Sequence, residues 1–465
     1  MRSSTRNAGV LVLLFTGVLM GALDISIVGP AIPSIGQTIR VETRELSWIF
    51  NSYILFNLAG ISLFAKLSDR FGRKSVYIAA VSIFAAGSLI VALADNYLLL
   101  VTGRAIQGLG SSGIFPVALA TVGDLFPVSK RGRALGLIGA VFGIAFLAGP
   151  FIAGTILRYF PWNALFLINI PVAVLIILFS LRLLPGRIVG REVRIDYAGI
   201  ILMGASLALY TIALTNLDTT DFVNSLFSVK VLPLLVFATI LAVILFMVEK
   251  TEKDPVLEVK FFRSREIRLT GIIAIGLGLF QSSILFLPAM AVSRFGVTPS
   301  DASFMLVPLV LMTALGSPLN GRLVDLIGSR IIIVAGLIIA AGGLYLLGTA
   351  LADRITFYLA GGLLGFGLSM RAALNYIMLN AVNELERASS QGMLLIFISI
   401  GQITGASFIG VMAAAAAEPA AGFSTAFLMM SGAALLLGVL ALFLKGKSNG
   451  HGAEPIKEIS NQQTL

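Results

Sequence analysis

The stretch Ala65-Lys-Leu-Ser-Asp-Arg-Phe-Gly-Arg-Lys74 is a short, basic, glycine-bearing turn clamped between two long apolar runs. It returns as Gly321-Arg-Leu-Val-Asp-Leu-Ile-Gly-Ser-Arg330, again between apolar runs. Leu67, Asp69 and Gly72 match Leu323, Asp325 and Gly328 at a constant offset of 256 positions. The same offset pairs Arg131 with Arg387, Gly136 with Gly392, Gly149 with Gly405 and Gly154 with Gly410. A register held through several helices marks an internal duplication, and repeats of this size are a feature of transporters.

Composition sets the class. The chain is 57% hydrophobic and only 12% charged, with a mean hydropathy of +0.98; soluble domains carry about 25% charged residues. The apolar excess falls into stretches of about 18–25 residues, long enough to cross ~30 Å of hydrocarbon as helices. Fourteen spans are expected, near 8–33, 45–64, 75–94, 98–122, 134–157, 163–184, 197–216, 231–248, 269–291, 302–320, 331–351, 356–380, 391–415 and 423–444. Forty-eight glycines suit close helix contact in lipid. There is no cysteine and one histidine, His451, in a polar tail. A buried His or Cys centre, catalytic or metal-binding, therefore cannot be built, and an enzyme is not the expectation.

The net charge of +10 could point to nucleic acid, so its distribution decides. With the N-terminus in the cytoplasm, 25 of the 33 Lys and Arg fall on cytoplasmic segments. Six lie on the other side (Arg40, Arg44, Arg158, Lys230, Arg294, Arg354) and two inside spans, Arg104 and Arg371. This is the positive-inside pattern, with both termini cytoplasmic and no nucleic-acid partner.

Within the spans, polar residues stand out singly. Asp24 lies deep in the first, where a charge costs at least about 2.5 kcal/mol and so faces a partner or a wet cavity. Pro30 and Pro33 follow it and are expected to break or bend that helix. The offset puts Phe280 opposite Asp24, with Gln281 beside it, so the acid belongs to one half alone. Asn51, Tyr53 and Asn57 share the second span; Asn51 and Asn57 either line a cavity or bond between helices. Arg104 enters the fourth span with Gln107 less than a turn away, either snorkelling or facing inward. Arg371 sits in Ser369-Met-Arg-Ala-Ala-Leu-Asn375, where snorkelling is hard; it pairs inside the protein or binds an anion. Asp69 and Arg73 read as a fastening of helix ends. Gly149-Pro150 with Gly154 reads as hinge or gate material, or as plain packing.

The two turns resemble the signature of the major facilitator superfamily, G-x-L-x-D-x-x-G-R-[RK], with Asp69, Arg70, Gly72 and Arg73 in the first copy and Asp325, Gly328 and Arg330 in the second. Arg104-Ala-Ile-Gln-Gly-Leu-Gly110 is similar to its fourth-helix motif, implicated in proton coupling. Gly149, Pro150 and Gly154 resemble the antiporter motif, and Leu23-Asp-Ile-Ser-Ile-Val28 the first-helix motif of the fourteen-span drug:proton antiporters. Ala65 and Ala153 replace glycines of these patterns, and Gly29-Pro30 stands where the subgroup has Asn-Val.

The resemblance implies an all-α membrane protein of two pseudo-symmetric six-helix bundles plus two extra central transmembrane helices. Its parts are an N-terminal half (1–184), a linker with the extra helices (185–268), a C-terminal half (269–444) and a disordered cytoplasmic tail (445–465). The expected function is secondary active transport: proton-coupled export of hydrophobic or amphipathic small molecules by alternating access, with lipid or glycolipid transport as the alternative. Asp24 and Arg104 are the proton-coupling candidates. Asn51, Tyr53, Gln107, Gln281, Arg371 and Asn375 are candidates for the substrate cavity, in which Arg371 could also face Asp24. No cofactor beyond a proton gradient is expected. The chain is expected to be a monomer in a bacterial or archaeal cytoplasmic membrane.

Overall fold

The computed structural model describes residues 2–126, 128–186, 195–252, 254–349, 353–383 and 386–446. The tail from 447 on and connector residues 187–194 lie outside this set, so the expected disorder of the tail does too. Fourteen helices are long and apolar enough to cross a bilayer: α1 (Ala8–Ile39), α2 (Thr43–Phe71), α3 (Arg73–Ala92), α4 (Tyr97–Leu125), α5 (Leu137–Tyr159), α6 (Ala164–Leu183), α7 (Tyr197–Thr215), α8 (Leu232–Glu249), α9 (Arg265–Phe295), α10 (Pro299–Ile327), α11 (Ser329–Gly348), α12 (Arg354–Asn380), α13 (Ser389–Ala415) and α14 (Pro419–Ala441). Among the described residues there is no strand. Hydrocarbon offers the backbone no partner, so each apolar run closes its own hydrogen bonds as a helix.

The two signature turns are single glycines. Gly72, at φ 92°, joins α2 directly to α3, and Gly328, at φ 89°, joins α10 to α11. A side chain is strained at such angles, which is why glycine stands at both. We call this end of the bundle the basic face. At the opposite face, Asn96 and Asp353 cap α4 and α12, accepting from the amides of Leu99 (2.9 Å) and Thr356 (2.7 Å).

Pro30 and Pro33 do not end α1, which stays helical to Ile39. Each proline forfeits one hydrogen bond, whereas leaving the helix inside hydrocarbon would strand several backbone groups. The interruptions fall elsewhere: α6 breaks at Ile168, α9 at Ser282, α10 around Met305 and Leu306, and α12 at Ser369 and Met370.

Helix pairing repeats. In the first half α1 packs on α5, α2 on α4, and α3 on α4 and α6; in the second, α9 packs on α13, α10 on α12, and α11 on α12 and α14. The halves meet through α1 with α9, α2 with α13 and α5 with α10. Exchanging the halves maps α2–α13 onto α10–α5, as a pseudo-twofold relation requires. The unduplicated helices lie to one side. α7 packs on both α2 and α13 and so covers that seam, while α8 packs on α7. Tyr210 of α7 bonds Thr404 of α13 at 3.3 Å, and Lys66 of α2 donates to the carbonyl of Asp254 just after α8.

The contacts between halves crowd toward the opposite face. A Cβ on Gly29 would meet the Leu285 and Ile284 carbonyls of α9 at 3.2 and 3.3 Å. Asn51 donates to Ser407 (2.9 Å), and Ser300 to the carbonyl of Gly154 (2.7 Å). Phe151 stacks edge-on against Phe304. Between Ile32, Gln37 and Leu46 on one half and Ala289, Val292 and Phe423 on the other, only a cleft of about 240 Å³ is left. Toward the basic face several glycines meet nothing. A Cβ on Gly123 of α4, Gly139 or Gly143 of α5, Gly321 of α10 or Gly392 of α13 would stand in open space. The bundle is closed at the opposite face and splayed at the basic face.

Candidate functional site

Asp24, fully buried in the middle of α1, is the centre of a polar cluster drawn from five helices. Its Oδ2 accepts from Arg104 Nη1 of α4 at 2.6 Å, and its Oδ1 accepts from Gln107 Nε2 and from Asn169 Nδ2 of α6, each at 3.0 Å. Arg104 Nη1 also donates to Gln107 Oε1 at 2.8 Å. Ser88 of α3 accepts from both amides, at 2.7 Å from Gln107 and 3.2 Å from Asn169. Arg104 Nε reaches the carbonyl of Ile49 on α2 (2.9 Å). The guanidinium lies over the Tyr53 ring at 4.5 Å and near Phe166 at 5.8 Å. Its Nη2 has no hydrogen-bond partner.

Physical chemistry explains the density of contacts. A lone carboxylate in this interior is costly, and a buried pair is tolerable only when the remaining lone pairs and protons are met. The Gln107 and Asn169 amides and the Ile49 carbonyl meet all of them but those on Arg104 Nη2, whose guanidinium lies against the rings instead. The repeat shows that the cluster is a specialisation: the positions of Asp24, Ser88, Arg104, Gln107 and Asn169 are matched by Phe280, Leu344, Ala360, Leu363 and Thr425. One half carries a buried ion pair at these positions, and the other carries four apolar residues and a threonine.

The proton-coupling candidates Asp24 and Arg104 are thus brought into direct contact. Arg371 does not join them: Asp24's cation is Arg104, while Arg371 is exposed, without a hydrogen bond or ion pair. Three candidates for the cavity wall, Asn51, Tyr53 and Gln107, are fully buried and sealed in this conformation. Asn51 serves the contact between halves, and the Tyr53 hydroxyl donates to Ser111 (2.6 Å) beneath Arg104. Gln281 is partly buried and accepts from Gln402 at 3.2 Å, and the Asn375 carbonyl accepts from Gln391 at 3.3 Å. Asn169 and Ser88 are members that the sequence did not single out. Ser88 carried a signal, a polar residue facing an apolar counterpart, Leu344, in the other half; Asn169, matched by the polar Thr425, carried none.

At the basic face the first signature turn is ion-paired. Arg73 bonds Asp69 at 2.5 Å and Asp124 of α4 at 2.9 Å, while Arg70 lies near the Phe71 ring. The second turn differs. Asp325 and Arg330 are exposed, and the counterparts of Arg73 and Asp124 are Ser329 and Asn380. The glycines of the antiporter motif mark close approaches. A Cβ on Gly149 would fall 2.7 Å from that of Ser26 on α1, and one on Gly405 within 2.6 Å of the Leu279 carbonyl and against Ser282 on α9. Ser26 and Ser282 are themselves repeat partners. Gly154 abuts Phe304 and Gly410 abuts Arg44 and Ser47, again across equivalent seams. Pro150 lies inside the α5 helix without ending it. Among the described residues no group of His, Cys, Asp or Glu could hold a metal.

A family model described as the Major Facilitator Superfamily matches residues 14–293 and 269–463. The multidrug transporter protein MdtP of Bacillus subtilis is 30% identical over 86% of this chain and 75% of its own length. A triacylglyceride transporter of Mycolicibacterium smegmatis is 30% identical over 84% of this chain and 73% of its own. Among solved structures, that of a point mutant of the peptide transporter POT superposes with a TM-score of 0.69, covering 94% of this chain and 93% of that one at 16% identity. This last likeness concerns the fold.

Proposed function

Because the chain belongs to the Major Facilitator Superfamily, we propose that it is a proton-coupled exporter of hydrophobic or amphipathic small molecules, working by alternating access. The observation that carries this reading is the sealed Asp24–Arg104 pair, present in one half only. The pair reaches the closure directly. Arg104 holds the Ile49 carbonyl, and two residues further along α2 Asn51 holds Ser407 of the other half. The multidrug relative supports the cargo class.

In this mechanism the closed opposite face goes with a deprotonated Asp24 held by Arg104. When α2 and α13 part, as do α5 and α10, a proton from that side binds an Asp24 oxygen and displaces the guanidinium. Uncoupling a buried pair is worth about 3–5 kcal/mol, and a swing from 1:99 to 99:1 between two states needs about 5.5 kcal/mol. One proton supplies much of that bias. The pair re-forms as the proton leaves toward the basic face, and the halves close again over the opposite side. Asp69, Arg73 and Asp124 fasten the basic face of the first half, and Gly149, Gly154 and their mates let the seams slide. In this reading the basic face and both termini lie in the cytoplasm, which the positive-inside pattern supports, and the protein works as a monomer in the cytoplasmic membrane.

Transport by purified protein in liposomes, with dyes inside and an imposed pH gradient, tests the reading. Asp24→Asn should abolish the dependence of flux on the gradient while leaving the fold intact. Unchanged gradient dependence removes Asp24 from coupling. A lipid cargo is the second reading, favoured by the triacylglyceride-transporting relative; competition by lipids in the same assay separates the two.

A further inference from the structure

Arg371 is the charge that the coupling cluster leaves unused. It begins the second segment of α12, directly after the break at Ser369 and Met370. That break is held in place from both sides. Asn320 of α10 donates to Ser369 Oγ at 2.6 Å, and Ser369 returns a bond to the Phe366 carbonyl at 2.5 Å. Gly336 of α11 lies so close that a Cβ there would fall 2.7 Å from that of Met370. The segment after the break is ringed by α9, α10, α11 and α13 of its own half, leaving one open face. Arg371 is exposed on it.

The depth makes this unusual. Nine residues separate Arg371 from the end of α12, about 13 Å along the axis, too far for easy snorkelling. An unpaired cation at that depth is tolerated in a wet cavity and not against acyl chains. No described carboxylate comes near its level. On the surrounding helices, Glu266, Arg265 and Arg268 stand at one end of α9 and Arg294 at the other. Asp301 opens α10, Arg322 and Asp325 close it, and Arg330 and Arg387 sit at the ends of α11 and α13. The acid of the other half, Asp24, already has its cation. The deep interior therefore carries one positive charge with nothing opposite.

What faces it follows from the duplication. The counterpart of Arg371 is Phe115 of α4, which stacks edge-on with Phe142 of α5 at 5.2 Å, both rings partly exposed. The counterpart of Phe142 is Ile398. Positions related by a pseudo-twofold lie at equal distances on opposite sides of its axis, so in a cavity opening to the basic face the Phe115 and Phe142 rings of one half would stand across from the cation of the other.

We propose that Arg371 is an anion-binding subsite, and that the cargo is an amphipathic anion: a carboxylate or phosphate on Arg371, its apolar body against Phe115 and Phe142. This rests on the reading of the basic-face cavity as the substrate path. The same chemistry could come from a soluble aromatic acid or from an anionic lipid headgroup.

Equilibrium binding to the full-length protein in nanodiscs of zwitterionic lipid tests the site without any gradient, so a failure of proton coupling leaves it untouched. The probes are anthracene-9-carboxylate and its neutral amide. The wild type should bind the carboxylate at least about tenfold more tightly than the amide, the scale of one charge-assisted contact. Arg371→Gln should level the two by weakening the carboxylate alone, and Arg371→Lys should keep part of the preference. Amide binding, unchanged in both variants, certifies that the cavity is folded. If phosphatidylglycerol displaces the carboxylate from wild type, the anion is a lipid headgroup; if it does not, and the preference stands, the anion is a soluble acid. Equal affinity for carboxylate and amide in the wild type, or a preference that survives Arg371→Gln, overturns the proposal.

Discussion

Arg73, the first residue of α3, donates from Nε to the carboxylate of Asp124, near the end of α4, over 2.9 Å, and its Nη1 holds both Asp69 and Ser68 at the end of α2. One guanidinium thus ties three helices at the basic face of the first half. The second half has Ser329 and Asn380 at the corresponding places and leaves Asp325 exposed. The Asp124 side chain is 37% exposed, so the solvent-screened bond is worth less than about 1 kcal/mol. Asp124→Asn, which gives the first half the residue of the second, should lower thermal stability only slightly. A double-mutant cycle with Arg73→Gln should show a coupling of about 0.5–1 kcal/mol. Absence of coupling would mean that the three ends are held by packing alone.

The glycines of the two seams make a graded prediction. At Gly149 an added methyl collides with Ser26, a side chain, whereas at Gly405 it collides with the Leu279 backbone as well as Ser282. Overpacking of this kind costs about 1–3 kcal/mol, and the backbone clash is the harder to relieve. Gly405→Ala should therefore destabilise more than Gly149→Ala. Gly139→Ala, in open space, should be neutral or stabilising by up to about 1 kcal/mol through helix propensity. Melting curves in detergent rank the three. Should Gly139→Ala prove the most damaging, the basic face is packed in the dominant state and the conformation assigned above is wrong.

Much of this was legible in the chain because it depends on length and repetition. The match of Asp69 with Asp325 and of Gly72 with Gly328 carried the duplication, and fourteen apolar runs became fourteen helices. Asp24 and Arg104 were legible as lone charges in apolar runs. Their pairing was not, because nothing local links positions 80 residues apart, and Arg371 was an equally charged alternative partner. Asn169 and Ser88 were lost for a related reason: a single polar residue in a span is common, and only the fold brings these two to the same carboxylate. Asn51 and Tyr53 were placed on a cavity wall from their polarity. In this conformation the two side chains bond Ser407 and Ser111, for Asn51 the interhelical bond that the sequence left open beside a cavity wall, because buried donors must be satisfied wherever helices close.

The cost of the coupling pair can be read from single and double substitutions. Removing one partner leaves an uncompensated buried charge, so Asp24→Asn and Arg104→Gln should each destabilise the closed state, by about 3–5 kcal/mol at most. The double variant should recover a good part of that loss, since no buried charge remains, yet stay inactive in gradient-driven flux. Thermal stability and flux measured on the same four proteins check this. Additive losses in the double variant would show that the two groups do not act as a pair.

The extra hairpin holds a pair of buried carboxyl groups with unsatisfied oxygens. Asp196 caps α7 through Oδ1, accepting from the Gly199 amide at 2.7 Å, while its Oδ2 has no partner. Glu249, at the end of α8, faces the Val256 and Leu257 amides without a bond within 3.5 Å, and one of its oxygens lies with Asp196 Oδ2 about the bare Cα of Gly199. Two buried carboxyl groups so placed, with no cation between them, repel when both are charged. Glutamine at 249 would offer Asp196 an N–H donor without a charge, so Glu249→Gln should preserve or raise thermal stability. Glu249→Ala should lower it by about 1–3 kcal/mol, leaving Asp196 Oδ2 buried beside a void. Gly199→Ala should be worse than either, since its methyl would be driven into both carboxyl groups. If Glu249→Gln instead melts well below wild type, the carboxylate has a partner of its own, and the hairpin is pinned by that contact.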